Sequence, residues 1–420
     1  MEIPFKKGNI LLPNKNINMN LWSVIACDQY TSDEKYWENV EALVKDNPST
    51  LKLTLPELYL ESEDVEDKIS KINTTMEEYI NSNKFIEYKN SMFYIERKQS
   101  DGAVREGLIG ILDLEDYSYE KGSQTLIRAT EKTVIERIPP RVKVRENALL
   151  ELPHIMILID DDKKEIIETL KDKVSEEDVV YDFDLMMSGG HIKGYNLKSE
   201  VTIEIENKMK VLADPKTFNE KYKLNDMPVL LFAMGDGNHS LATAKTCYEN
   251  LKKSLGKEAL NHPARYALVE IVNLHSEALK FEAIHRVVFN TDAEKLLSEL
   301  MNFYDISFTE CEGQKVEYIT QKEEKTFWIK NPKSNIAVGS LQIFLDEYLS
   351  NNEGKIDYIH GEKETKKFGS EIDNIGFILE PMKKEDLFKT VILDGALPRK
   401  TFSMGHADDK RFYLESRRIK

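Results

Sequence analysis

Residues 228–245 constrain this chain more than any other segment. An apolar run over 229–233 leads into Gly235, Asp236, Gly237, Asn238 and His239, and good helix formers follow. The pattern reads as strand, tight polar turn and helix N-terminus. Two glycines permit positive φ and a close approach of the backbone to a ligand. The N–H groups at a helix start, with the positive end of the macrodipole, favour an anion. Asp236 adds a carboxylate able to face a metal, and His239 a donor or proton-transfer group. Two readings stand side by side. One is a phosphate-binding turn. The other is a simple strand-to-helix connection whose Asp236 caps the helix. The chain has no P-loop sequence. The third glycine position of a dinucleotide fingerprint holds Ser240, so that motif is incomplete.

The length allows two or three domains and a sizeable core. Acidic residues outnumber basic ones by 74 to 58, a net charge of -16. That sign repels a phosphate backbone and argues against nucleic acid as a partner. A local basic pocket for a small anion is compatible with it. Cys27, Cys247 and Cys311 are far apart and form no paired motif, which argues against a disulfide framework and a structural zinc site. Cys247 falls on the helix after the turn, where a small buried hydrophobe is expected. The first residues carry no signal-peptide core, and no apolar run reaches membrane-spanning length. The expectation is a cytoplasmic protein with a small-molecule substrate and no membrane partner. That reading leaves room for a homodimer.

Helical spacing over 63–82 and strands at 93–97 and 107–113 organise the first part. Another helix is expected to begin at 31–34, with Ser32 among its cap residues. Arg137, Arg141, Lys143 and Arg145 surround Pro139 and Pro140, the one basic patch of an acidic chain. Most of it reads as a solvated face, with one or two arginines free for an anion. A buried strand starts at His154, whose ring reads as structural. Residues 161–220 read as a small insert with a helix over 164–173 and another from Ser199. Gly189 and Gly190 read as a hairpin turn rather than a mobile flap. Further on come strands at 264–274, 281–289, 304–308 and 324–329, and helices at 293–303, 341–350 and 382–389. His285 and Arg286 are equally readable as site or structure. Residues 395–406, ending at His406, read as an ordered functional loop. Strands and helices alternate without a regular βαβ rhythm, so the fold class is α+β, or mixed α/β. Three regions are expected: 1–124, a core over 125–275 with the insert at 161–220, and 276–420.

The ordered stretches 127–133, 138–147, 152–154, 234–239, 283–287 and 397–402 resemble the bacterial and archaeal proteins of domain-of-unknown-function family 1015. The resemblance covers nearly the whole chain. The turn from Asp236 to His239 also resembles the phosphate-binding box of the ParB and sulfiredoxin superfamily, which includes free-serine kinases. It implies a ParB/sulfiredoxin-like core over 125–275. In those kinases a glutamate precedes the turn and acts as base on the serine hydroxyl, and Glu131 occupies that place here. Two departures are evident. Ser240 stands where the kinases carry Arg, and Thr130 where they carry His. Lys245, Arg128 or Arg399 are the cations available to compensate.

The resemblance implies a small-molecule phosphotransferase, a kinase acting on free L-serine or a similar hydroxyl compound. Glu131, Asp236 and His239 would be catalytic, with Asp236 holding Mg²⁺. Gly235, Gly237, Asn238, Ser240 and Lys245 would bind phosphate from ATP, ADP or pyrophosphate. Arg128, Arg141, His285, Arg286 and Arg399 would bind the substrate. The alternative is a non-catalytic nucleotide or small-anion sensor that uses the same turn without a base. DNA binding lacks a helix-turn-helix. Sulfiredoxin-like chemistry lacks a cysteine at the turn, because Cys247 is about two helical turns away.

Overall fold

Apolar strands from distant parts of the chain share one sheet in the computed structural model, which describes residues 2–31, 33–405 and 409–420. Ser32 and His406 lie outside the described residues. Two compact units emerge. The first comprises 1–129, 133–279 and 406–420, and the second 130–132 and 280–405.

The sheet of the first unit has ten strands: β1 (Phe5–Lys6), β2 (Phe93–Lys98), β3 (Val104–Asp113), β4 (Tyr117–Ser118), β5 (Ile127–Arg128), β6 (Met156–Ile159), β7 (Val179–Asp184), β8 (His191–Asn196), β9 (Phe232–Asp236) and β10 (Tyr266–Asn273). Their order is β7-β8-β2-β3-β10-β6-β9-β5-β4, with β1 on β3. β6 is parallel to β10 and antiparallel to β9, and β9 is parallel to β5. The central strands β6 and β10 are buried along their length, as near-continuous apolar runs require. Trp22, Trp37, Phe93, Ile109 and Leu268 belong to the core beside the sheet. The boundary expected near residue 124 falls inside this unit, because β2 and β3 share a sheet with β10.

Glu270 on β10 sits in this core, held by Arg105 Nε at 3.1 Å and Arg411 Nη1 at 2.8 Å. Burial opposes its charge, but the two guanidiniums overcome it and keep the carboxyl below its usual range. Gly107 makes the room: a Cβ there would stand 2.8 Å from Glu270 Oε1.

The second unit has a seven-stranded sheet: β11 (Phe281–Phe289), β12 (Ile306–Ser307), β13 (Gln314–Ile319), β14 (Glu324–Ile329), β15 (Lys355–His360), β16 (Ile375–Ile378) and β17 (Phe402–Met404). The order is β12-β14-β13-β16-β11-β15, with β17 on β11, all antiparallel. Val287, Phe327, Phe377, Leu296 and Leu341 are buried in its strands and helices.

The mixed α+β class is the one expected. The 185–190 segment is a hairpin turn between β7 and β8, with Gly190 at φ 82°. The helix expected over 164–173 does not form. The Asp161 carboxylate accepts from the Ile166 N–H at 2.8 Å and Lys164 adopts φ 55°, so the segment closes as a turn. The basic patch is a helix, Ile138–Glu146, with its prolines in the first turn, where the missing N–H costs no hydrogen bond.

Candidate functional site

β9 carries the chain to Asp236, and Gly237 then turns it with φ 79° and ψ 28° into the helix Asn238–Leu255. Only glycine suits this position. Its φ is left-handed, and a Cβ would stand 3.1 Å from Ile155 Cα. The helix has no side-chain cap among the described residues. Asp236 does not supply one. Its Oδ1 accepts from the Gly237 N–H at 2.8 Å, before the helix, and its Oδ2 faces Lys410 Nζ at 3.1 Å. The helix start therefore keeps the anion-favouring character of uncapped donors. Asn238 Oδ1 is buried without a hydrogen-bond partner among the described residues. The His239 carbonyl accepts from Thr243 Oγ1 at 2.7 Å, inside the helix. Gly235 packs on β6, 3.1 Å from Leu158 Cγ to where its Cβ would be.

His154, just before β6, stands under this turn. Its Nε2 lies 3.3 Å from Asp28 Oδ2 and 3.5 Å from Ser240 Oγ. Its Nδ1 lies 3.1 Å from the Tyr413 hydroxyl. The Tyr413 proton points at Cys27 Sγ, 2.8 Å away, so the Tyr413 oxygen accepts from His154 Nδ1–H. His154 Nε2 faces the Asp28 carboxylate, an arrangement that favours the protonated ring. Burial opposes the cation, but the Asp28 carboxylate overcomes it, with Asp236 and Glu57 adding, and holds the ring above its usual pKa. Asp28 is likewise opposed by burial, yet the His154 cation, its hydrogen bond and Gln29 hold it far below the carboxylate range. Burial pushes the Cys27 thiol up to about 12, which removes it as a nucleophile. His154 is thus structural in its burial and electrostatic in its position. Sequence reasoning missed Asp28 and Lys410. The polar turn after the strand at 24–25 was the only signal for Asp28.

Ser240, His154 and Arg141 line one cavity of about 140 Å³ in this unit. Arg141 pairs with Glu57 through Nη2 and donates from Nη1 to the Arg137 carbonyl at 2.7 Å. Two other expected cations are engaged elsewhere. Lys245 donates to the Leu114 carbonyl at 2.8 Å and pairs with Glu249 at 2.8 Å, two turns along the helix. Arg128 donates to the carbonyls of Thr125, Pro228 and Val229, and burial lowers its pKa to about 10. Lys410 stands at the turn in their place, paired with Asp236.

Glu131, His285, Arg286 and Arg399 belong to the second unit. Glu131 bridges to Leu397, and the Leu397 N–H donates to the Thr130 carbonyl at 2.6 Å. Arg286 is fully buried. It donates to Gln342 at 3.2 Å, to the Ile284 carbonyl and to the Arg399 carbonyl at 3.0 Å, and stacks over Tyr358. Burial lowers its pKa to about 10, against the pull of Tyr358 and Glu131. The exposed Arg399 also reaches the Tyr358 ring. His285 Nδ1 accepts from the Leu379 N–H at 3.2 Å, a structural bond, and burial lowers its pKa.

No group of three metal-ligating side chains occurs among the described residues. Asp236 offers one carboxylate beside an ammonium.

Comparisons with known proteins give three findings. No curated protein matches the sequence. Among solved structures, an alanine variant of a free serine kinase in complex with AMP is similar at 11% identity and a TM-score of 0.39, over 74% of this chain and 90% of that one. A conserved hypothetical protein from Pyrococcus furiosus has 11% identity and a TM-score of 0.35, over 74% and 94%. SbnI from Staphylococcus aureus, truncated at its C-terminus, has 9% identity and a TM-score of 0.29, over 63% and 85%. The family model described as protein of unknown function, DUF1015, matches residues 10–348, and the chain belongs to that family.

Proposed function

We propose that this chain is a small-molecule phosphotransferase, a kinase that moves a phosphoryl group from a nucleotide or pyrophosphate to the hydroxyl of free L-serine or a similar compound. The observation that carries the reading is the uncapped helix start behind a left-handed glycine, with a lysine beside it. A connection that merely joined strand to helix would gain from a capping side chain there. Phosphoryl transfer needs positioning and charge neutralisation above all. The backbone donors from Asn238 onward hold the donor phosphate. Lys410 supplies the positive charge that Ser240, in the place of an arginine, does not. Asp236 would hold Mg²⁺ against the phosphate oxygens, where that ion would screen their charge.

Glu131 is the proposed general base, on the strength of its place ahead of the turn in the sequence. In the balanced step the acceptor oxygen forms a bond to the terminal phosphorus, and the bond to the donor's bridging oxygen breaks. The hydroxyl proton goes to Glu131, and the shortened donor leaves.

Phosphorus NMR of the full chain with Mg²⁺, ATP, ADP or pyrophosphate, and L-serine or other hydroxyl compounds tests the proposal. A phosphomonoester product is expected. Glu131→Gln should lower the rate by about a hundred- to ten-thousand-fold and leave donor affinity unchanged. A wild type that binds nucleotide but transfers nothing to any hydroxyl would instead make the protein a nucleotide sensor.

A further inference from the structure

The cavity beside the turn is largely apolar, and its charges are already matched. Leu53, Leu55, Leu60, Met76 and Val144 are among its lining residues. Each charged side chain that lines it has a partner of opposite sign: Arg141 meets Glu57, Arg145 meets Glu151 and His154 meets Asp28. A charged group on a ligand would leave water and find no unmatched counter-charge, a cost that an uncharged ligand escapes. The lining hydroxyls are committed in the same way, with one exception. Thr54 donates to the Thr50 carbonyl at 2.9 Å, Thr243 to the His239 carbonyl at 2.7 Å and Tyr413 to Cys27 Sγ at 2.8 Å. The Ser240 hydroxyl has one hydrogen-bond contact among the described residues, His154 Nε2 at 3.5 Å, well beyond the usual O–H range. It is the lining hydroxyl left to bond a ligand oxygen. The volume of about 140 Å³ is close to the ~150 Å³ that takes a benzene ring, which sets the scale of what fits.

We propose that this cavity binds a small uncharged alcohol with an apolar body about the size of a benzene ring, its oxygen bonded to the Ser240 hydroxyl and its carbons among Leu55, Leu60 and Val144. Ser240 belongs both to the cavity wall and to the first turn of the helix Asn238–Leu255, so this alcohol is the phosphoryl acceptor. Naming it the acceptor rests on the phosphotransferase reading, whereas its binding does not.

Calorimetry of the full chain with toluene, benzyl alcohol, benzoate and benzylammonium tests the inference, because the four share one ring and differ in the group it carries. Toluene and benzyl alcohol should bind, and each charged analogue should bind at least about tenfold more weakly than the alcohol. Ser240→Ala should weaken benzyl alcohol by about two- to tenfold, the worth of one neutral hydrogen bond, and leave toluene unchanged. Val144→Phe, which fills the apolar lining, should weaken both uncharged ligands at least about tenfold. No binding of the uncharged pair, a charged analogue bound as tightly as the alcohol, equal losses of toluene and benzyl alcohol in Ser240→Ala, or a folded Val144→Phe protein with undiminished binding would overturn the proposal. The wild-type series decides the matter even if neither variant folds. Selective binding of the uncharged pair without phosphoryl transfer to any hydroxyl would keep this pocket and remove the phosphotransferase reading. Transfer to L-serine with no binding of the uncharged pair would do the reverse.

Discussion

Asp28 and His154 decide the local electrostatics, and each depends on the other. Removing the Asp28 charge leaves burial as the main influence on the ring. Asp28→Asn should therefore move the His154 titration down, as read by NMR of its ring protons, and should cost about 2 kcal/mol of stability. The pH dependence has a definite sign. His154 has a raised pKa, so its contribution is complete below the ordinary imidazole value of ~6.5 and fades as pH rises through the folded pKa. Asp28 has a depressed pKa, so its contribution holds above the ordinary carboxylate range and fades only as pH falls through its folded value. The groups acting on His154 are Asp28, Asp236 and Glu57 on the raising side, and burial on the other. Urea denaturation at pH 6 should separate wild type from His154→Gln clearly, and at pH 9 the gap should narrow. An equal gap at both values would mean that the ring is neutral throughout. None of this was legible in the sequence. The Tyr413 hydroxyl that accepts from His154 Nδ1 is 259 residues away, and no local pattern records such a distance.

The strand, glycine and helix of the turn behave as one element. Gly237→Ala places a side chain in a left-handed conformation, at about 1–2 kcal/mol. It also presses on Ile155. Its melting temperature should fall, and its calorimetric affinity for pyrophosphate should fall with it, since the backbone donors lose their alignment. A variant with lowered melting temperature and full affinity would detach the turn from anion binding. This element was readable in advance because its information is local: apolar run, two glycines, helix formers. The same holds for Phe281–Phe289 and Ala293–Phe303, which form where the periodicity puts them. The failures have equally local causes that periodicity does not register. At 164–173 one aspartate carboxylate takes a backbone N–H away from the helix. At 138–146, where no element was assigned, two prolines stand in the first turn of a helix. The choice among Lys245, Arg128 and Arg399 was not local at all, because carbonyls claim the first two and Lys410, from far along the chain, stands at the turn.

Residues 409–420 complete the first unit from far along the chain. Phe412–Tyr413 pairs with Val24–Ile25, and Arg417–Arg418 with Leu150–Glu151. Arg411 and Arg417 neutralise Glu270 and Glu151, both nearly without solvent exposure. A chain that stops before Asp409 would leave each carboxylate with one guanidinium of its two, Arg105 for Glu270 and Arg145 for Glu151, and breaking a buried pair costs about 3–5 kcal/mol. Calorimetric scans of such a chain should show the first unit unfolded or melting far lower, while the transition of the second unit persists. Retention of both transitions at their original temperatures would mean that the buried glutamates take up protons at little cost. During synthesis the same arrangement imposes an order of events. Every residue assigned to the second unit is made before Arg411 and Arg417 are, so the second guanidinium of Glu270 and of Glu151 reaches the interior of the first unit last. A chaperone that binds nascent chains would meet an unfinished first unit for as long as translation runs.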